Sequence, residues 1–523
     1  MKDSCQVTKV RPFFYYAIVG VGIVVSFLMA LTSLCHAQYT MLGCCGYGAF
    51  LLMAVVASGM LAARYEFYRK YEVVFLMAVA FCVAWFSISF LAGLGRVCTG
   101  GIDAYKAQMA LESGKICSFH PQRYVYWYNW NVLMSVLGLV FSKNLIVGQL
   151  FNALSLSFAL FSIFKIAEII SGRAMARFAA IAFAFNPVVV LYSTVLTSEC
   201  WSAAFIVWSC YLIMRCRHGE SSAFNLMFTG SVLFAGIMLG VADFFKSISI
   251  IFKAAIVTVI LLEFLMFRGW RRAIFSFALL VVISCIGSFV TSTGHRCAIA
   301  LASEKPQITT RDTSIGNVMA HEFVLGLNLK TSGTYDRELA CKMLKGGPEV
   351  RKQLLKEAVC RDWKEYPALM VRKFSNLHGS SCSTGSAMSE IRHAFRGVTD
   401  DLRKKGREMP LFLVELAESS LVVFRILFLV AVAGCLFVDK GNGLCAWRVL
   451  PLIIVLGFMT LEQLIECHGR YKAVIYPFFF LVMPYMAGLK TPIQKICTHL
   501  AARCETAKRK TTKMATKFQS AGK

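Results

Sequence analysis

VVFLMAVAFCVAWFSISFLAGLG, residues 73–95, runs for 23 positions without one charged side chain. A helix rises about 1.5 Å per residue, so about 20 apolar residues cross the roughly 30 Å core of a bilayer. The stretch therefore reads as a membrane-spanning helix. Strands of a membrane barrel would alternate apolar and polar positions, and these do not. Two stretches ahead of it, Pro12–Leu34 and Met41–Ala63, are equally uncharged. Pro12–Leu34 is longer than the roughly 7–15-residue apolar part of a cleaved signal peptide, so it too reads as a span.

Beyond residue 95, similar stretches fall near 145–168, 174–193, 200–214, 226–241, 248–266, 273–292, 411–437, 449–465 and 473–489. Together they predict an all-α polytopic membrane protein with about twelve spans. Composition agrees: 57% of the residues are hydrophobic and 16% charged, against roughly 25% charged in soluble domains. The mean hydropathy is +0.61. The net charge of +26 would suit nucleic acid in a soluble chain. In a membrane protein it first reports the Lys/Arg excess of cytoplasmic segments.

Alternate connections carry that excess. They hold Arg64, Arg69 and Lys70; Arg173 and Arg177; Arg215 and Arg217; Arg268, Arg271 and Arg272; and Lys440 and Arg448. Lys2, Lys9 and Arg11 precede the first span, and a basic tail follows Lys490. The connection 35–40 has neither Lys nor Arg. Both termini are therefore expected in the cytoplasm. The tail fits attraction to anionic lipid, with no nucleic-acid partner expected.

The expected organisation is three spans in 1–95, an outer loop with juxtamembrane helices in 96–144, spans four to nine in 145–292, a small extracytoplasmic domain in 293–410, spans ten to twelve in 411–489, and the cytoplasmic tail 490–523. The cysteines sit mostly in apolar runs, and no CxxC spacing suggests zinc. Cys98, Cys117, Cys297, Cys341, Cys360 and Cys382 fall outside and are candidates for disulfides, with no pairing deducible.

Ionisable groups at span ends without a topological task mark sites of function. Four places on the expected outer side qualify. Asp103 follows the third span and opens AYKAQMALESG, which reads as a short interfacial helix with Tyr105 on it. A carboxylate there serves equally as a helix cap or as a general base. His120 begins a stretch whose positions 124–130 hold five aromatics, suited to the headgroup interface or to stacking on a sugar. That segment is too short for an ordinary span and is expected along the surface. Glu199 sits where two spans meet, with no charged neighbour in sequence. Asp243 and Lys246 follow in GVADFFKS, either as a local ion pair or with Lys246 on a phosphate. Last come Glu466, His468, Arg470 and Tyr471 at the mouth of the final span. The Arg470 fork suits phosphate oxygens, or a salt bridge to Glu466.

Several of these stretches resemble the GT-C superfamily of integral membrane glycosyltransferases. The likeness is strongest to its branch of protein O-mannosyltransferases and aminoarabinose transferases, which are phospholipid carrier-dependent. DAYKAQMALESG (103–114), the long block from Asn152 to Glu199, ECHGRYKAVIYP (466–477) and HEFVLGLNLKTSGTYD (321–336) carry the resemblance. It spans roughly residues 96–490. His120-Pro121-Gln122 stands where that group often has Tyr-Pro-Pro.

The resemblance implies transfer of a sugar from a polyprenyl-phosphate donor to an acceptor hydroxyl at the extracytoplasmic face, with inversion. Asp103 is then the catalytic base or an acid that orients the acceptor, and Glu199 a supporting acid. Arg470 and Lys246 hold the donor phosphate, and Tyr471, His120, Tyr105 and Glu466 contact substrate. The acceptor is a glycan, a lipid or a protein. No cofactor is legible. Asp103 and Glu199 could share a divalent cation, but no metal-ligand set shows. A transporter or flippase of lipid-linked sugars is the alternative, although neither inverted halves nor broken helices are evident. A membrane scaffold without chemistry is a third reading.

Overall fold

The computed structural model describes residues 12–36, 41–95, 102–114, 125–218, 226–267 without 247, 270–301, 315–378 without 335 and 361–362, 391–392, 409–437, 446–465, 471–490, 492–494 and 498. Among them there is no β-strand. Among the described residues nine helices are long and apolar enough to cross a membrane: Tyr15–Leu34, Met41–Arg64, Glu66–Gly93, Leu145–Ser171, Phe228–Phe245, Ala273–Leu301, Leu411–Phe437, Trp447–Leu464 and Val474–Gln494.

The other three expected spans are helical but differ in form. Positions 174–193 divide into α7 (Arg173–Ala184) and α8 (Pro187–Tyr192). Asn186 accepts hydrogen bonds from the amides of Val188 and Val189, and Pro187 follows at the first helical position. A capping Asn with Pro behind it starts a new helix and removes the bond that would have continued the old one. The spans expected at 200–214 and 248–266 are α9 (Glu199–His218) and α11 (Ser249–Phe267).

The remaining helices of the first half are α1 (Pro12–His36), α2 (Met41–Arg64), α3 (Glu66–Gly93), α4 (Ile102–Ser113), α5 (Val125–Val140), α6 (Leu145–Ser171), α10 (Leu226–Phe245) and α12 (Trp270–Leu301). α6 is the central post. It packs against α3, α7 and α9 and is two-thirds buried. Gly172, at φ +82°, lets the chain turn from α6 into α7. α9 and α12 flank α10, and the α10–α12 seam is backbone against backbone. A Cβ on Gly240 would stand 2.5 Å from the Gly287 carbonyl oxygen. The Thr291 hydroxyl donates to the Gly240 carbonyl at 2.8 Å across that seam. Small residues allow such close approach where water cannot drive helices together.

One end of the bundle is closed by ion pairs. Glu72 on α3 is fully buried and accepts hydrogen bonds from Arg173 (2.8 Å) and Arg177. Two of the cations expected to set topology thus also neutralise a carboxylate that would be costly alone.

At the other end lie four short helices: α13 (Ile315–Gly326), α14 (Arg337–Lys345), α15 (Pro348–Val359) and α16 (Tyr366–His378). These helices share a small core of Val324, Leu327, Met343, Ala358 and Leu369. Asp336 caps α14 by accepting from the amides of Glu338 and Leu339. Those bonds, the Leu339 amide first, hold its carboxyl below the usual range. The last helices are α17 (Leu411–Gly434), α18 (Leu450–Leu464) and α19 (Tyr471–Val482). α17 packs on α1 and α2, while α19 packs on α9 and α18. All described cysteines are free thiols, Cys297, Cys341 and Cys360 included. Cys98, Cys117 and Cys382 lie outside the described residues.

Candidate active site

The start of α9 and the end of α10 meet in a buried ion pair. The Lys246 ammonium donates to Glu199 Oε1 at 2.5 Å, and both residues are only 4% exposed. Glu199 is therefore buried, and its partner comes from the next hairpin rather than from its own helix. The local pair Asp243–Lys246 does not form. Asp243 instead accepts from the amide and hydroxyl of Ser249 and stands 3.6 Å from Lys253. The chain reverses between α10 and α11, so Asp243 points at the new helix and Lys246 at α9. The Ser202 hydroxyl, one turn beyond Glu199, donates to the Ala242 carbonyl at 3.0 Å and keeps the two helices together.

The approach to Glu199 is held just as firmly. Residues 193–198 form turns rather than a helix, which leaves carbonyls without helical partners. Three side chains take three successive ones. Gln149 donates to Thr194 (2.9 Å), Asn152 to Val195 (2.6 Å) and the Trp130 indole to Leu196 (3.1 Å). Buried backbone acceptors need such partners. The result is a turn with a fixed exit direction, and Glu199 is its first helical residue.

Asp103 lies in the first turn of α4, as expected; its side chain lies outside the described residues. The helix itself is well seated. Ala104, Ala107, Ala110 and Leu111 are buried. A Cβ on Gly138 of α5 would stand 2.0 Å from the Leu111 carbonyl oxygen, so α4 and α5 touch at the backbone. Leu111 meets Leu196 over Gly148 of α6. The helix carrying Asp103 and the turn carrying Glu199 therefore share one seam. Tyr105 is on the same helix, half-buried.

α5 packs on α4, α10 and α12. The Asn129 amide donates to the Phe244 carbonyl at 2.7 Å and lies 2.7 Å from His295 Nδ1 on α12. Trp130, one of the five expected interface aromatics, is 3% exposed and structural. His120, Glu466, His468 and Arg470 lie outside the described residues. Tyr471 is the first residue of α19, and its side chain is also outside them.

A second polar group was not singled out from the sequence. Glu418 and Arg425 on α17, Glu462 on α18 and Tyr476 on α19 are each 6% exposed or less. Arg425 donates to the His378 carbonyl at 2.6 Å, and Tyr476 lies within electrostatic reach of Arg425 and Glu462. The signal was present: Arg425 is the one cation in the stretch 411–437, which also holds Glu415 and Glu418 among mostly apolar residues, a hallmark of a functional or paired group. Tyr476 also stands 6.4 Å, ring to ring, from Tyr192. Both line a small cavity with Ser155, Cys200 and Pro477. Among the described residues no cluster of three or more His, Cys, Asp or Glu could hold a metal.

No family model matches this chain, and no curated protein matches its sequence. Solved structures do. The oligosaccharyltransferase of Archaeoglobus fulgidus in its apo form is 14% identical, with 85% of this chain and 53% of that chain covered and a TM-score of 0.41. ArnT from Cupriavidus metallidurans bound to undecaprenyl phosphate is 16% identical, with 80% and 77% covered and a TM-score of 0.37. AglB from Archaeoglobus fulgidus, with an inhibitory peptide and a dolichol-phosphate, is 14% identical, with 84% and 52% covered and a TM-score of 0.38. The chain spans about half the length of the oligosaccharyltransferases it matches. Overlaps of this size leave the chemistry to be argued from the residues.

Proposed function

We propose that this chain is a GT-C-type membrane glycosyltransferase. It moves a sugar from a polyprenyl-phosphate donor to an acceptor hydroxyl at the extracytoplasmic face. The supporting observation is the Glu199–Lys246 pair, buried at the bundle end where the helix of Asp103 is seated. A buried charge pair contributes little to stability compared with an apolar isostere. Holding one with three side-chain clasps on the adjoining turn suits a site that must present charge in a fixed place.

In the proposed reaction the acceptor oxygen attacks the anomeric carbon from the side opposite the phosphate. The bond from that carbon to the phosphate oxygen breaks, and the phosphate leaves with its electron pair. Asp103 takes the hydroxyl proton, and the anomeric centre inverts. General-base assistance of this kind contributes roughly 10²–10⁴-fold. Arg470 and Lys246 offset the charge gathering on the departing phosphate. Glu199 holds Lys246 in place until the phosphate arrives. Tyr105, His120, Glu466 and Tyr471 border the substrate.

The test uses purified protein in lipid with a panel of radiolabelled polyprenyl-phosphate sugars and a crude envelope acceptor fraction. Label is expected to leave the lipid with wild type. With Asp103→Asn, inserted to the same level, it is expected to stay. Undiminished turnover by Asp103→Asn removes that residue from the mechanism. Absence of turnover on every donor, together with movement of intact donor across the bilayer, favours the transporter reading.

A further inference from the structure

Four stretches of chain meet at one buried point. α13 ends at Gly326, where a Cβ would stand 2.2 Å from the carbonyl carbon of Ile465 and 2.5 Å from the Leu464 oxygen. The end of α13 is thus pressed against the end of α18 with no room for a side chain. The turn that follows returns through Gly333 at φ +77°, whose missing Cβ leaves space for the Lys373 stem. Lys373, on α16, is 0% exposed. Its ammonium donates to the Gly326 carbonyl at 2.8 Å and to the Ile465 carbonyl at 2.6 Å. One cation therefore ties the end of α13 to the end of α18.

A second cation repeats the arrangement five residues on. Arg425 reaches from α17 to the carbonyl of His378, the last residue of α16. Phe374, between the two, packs into the main bundle core, its ring 4.5 Å from that of His378 and tilted 46° to it. Lysine and arginine are almost never fully buried without a specific partner. Here each spends its charge on backbone carbonyls at helix C-termini, where a cation is favoured by the helix dipole.

We propose that Lys373 and Arg425 are positioning residues. They pin α16 to the bundle and set where the chain leaves α18. The importance for catalysis rests on the function proposed above, because the chain leaving α18 at Ile465 runs directly into Glu466–Tyr471, which carries the proposed donor-phosphate contacts. The pin itself does not depend on that reading.

The experiment compares wild type, Lys373→Met and Gly326→Ala in lipid nanodiscs. The first removes the cation; the second wedges the seat apart and leaves the cation in place. Amide hydrogen exchange is read over 462–474 and over α16, with α10 and α12 as internal controls. Both variants are expected to exchange faster over 462–474, with the controls unchanged. The KM for a polyprenyl-phosphate sugar is expected to rise about tenfold with little change in kcat, the scale of one charge-assisted hydrogen bond. Arg425→Met is expected to accelerate exchange at the end of α16. Unchanged exchange over 462–474 in both variants overturns the pin, whatever happens to turnover. A rise spread equally over α10 and α12 means general loosening and overturns it too. Local acceleration in a protein whose wild type transfers no sugar keeps the pin and removes the glycosyltransferase reading.

Discussion

Removing the Glu199 carboxylate leaves the Lys246 ammonium buried at 4% exposure beside a gap. Breaking a buried pair by taking one partner costs about 3–5 kcal/mol, whereas replacing both with apolar groups of similar volume is often near neutral. Glu199→Met and Lys246→Met should therefore each lower the thermal midpoint in detergent. The double variant should recover most of the loss. If the pair were only a structural strut, transfer would recover with stability. With Lys246 contacting the donor phosphate, the stable double variant stays inactive. Parallel recovery of midpoint and transfer would return both residues to scaffolding. The pair was only half legible from sequence. Glu199 stood out as an acid without a neighbour, and Lys246 as a candidate for phosphate. Which cation met which acid depended on the chain reversal after Phe245, which places Asp243 and Lys246 on different sides. Sequence spacing of three suggested a bond that the reversal forbids. Arg425 and Glu462 were missed for another reason: each sits in a stretch already assigned to a span, where attention fell on the apolar majority.

Between elements, the decisive contacts are those that backbone makes with backbone. Gly236 and Gly240 on α10 face Ile286, Gly287 and Val290 on α12. Any side chain at 240 would overlap the Gly287 carbonyl. Gly240→Leu is therefore expected to push α12 away, at a cost of about 1–3 kcal/mol for overpacking. It should also weaken the Lys246 position six residues along α10. Gly230→Ala on the same helix, with nothing within 4 Å of the new Cβ, should be tolerated. Thermal midpoints of the two purified variants against wild type decide this. Equal midpoints for both would show that the seam is loose enough to accept a side chain. Apolar runs are long, continuous signals, so the helices themselves were readable. Seams of this kind were not. They depend on which face of one helix meets which face of another, and the two glycine pairs lie some fifty residues apart. The same holds for the break at Asn186-Pro187. Its capping chemistry is visible in the sequence, but the hydropathy of 174–193 runs straight through it.

For the whole molecule, the Lys/Arg asymmetry and the position of the site make a joint prediction about sidedness. The short connections and the tail carry the excess of cations, which argues for a cytoplasmic tail. Chain direction then puts the start of α9, the end of α10, α13–α16 and the end of α18 at the opposite face. Cys360, exposed after α15, and Cys504 in the tail report on the two faces. Each is retained alone in a chain whose other cysteines are replaced. Cys200, Cys210 and Cys435 are buried, so alanine avoids introducing an unpaired hydroxyl there. A membrane-impermeant maleimide applied to intact cells should label Cys360 at once and Cys504 only after permeabilisation. The reverse pattern would place Glu199 and Lys246 on the cytoplasmic face. Nucleotide sugars are at hand there, and the reason for a lipid-linked donor disappears. Sidedness thus bears on the chemistry as directly as any residue does: the same pocket, turned over, no longer needs a polyprenyl carrier.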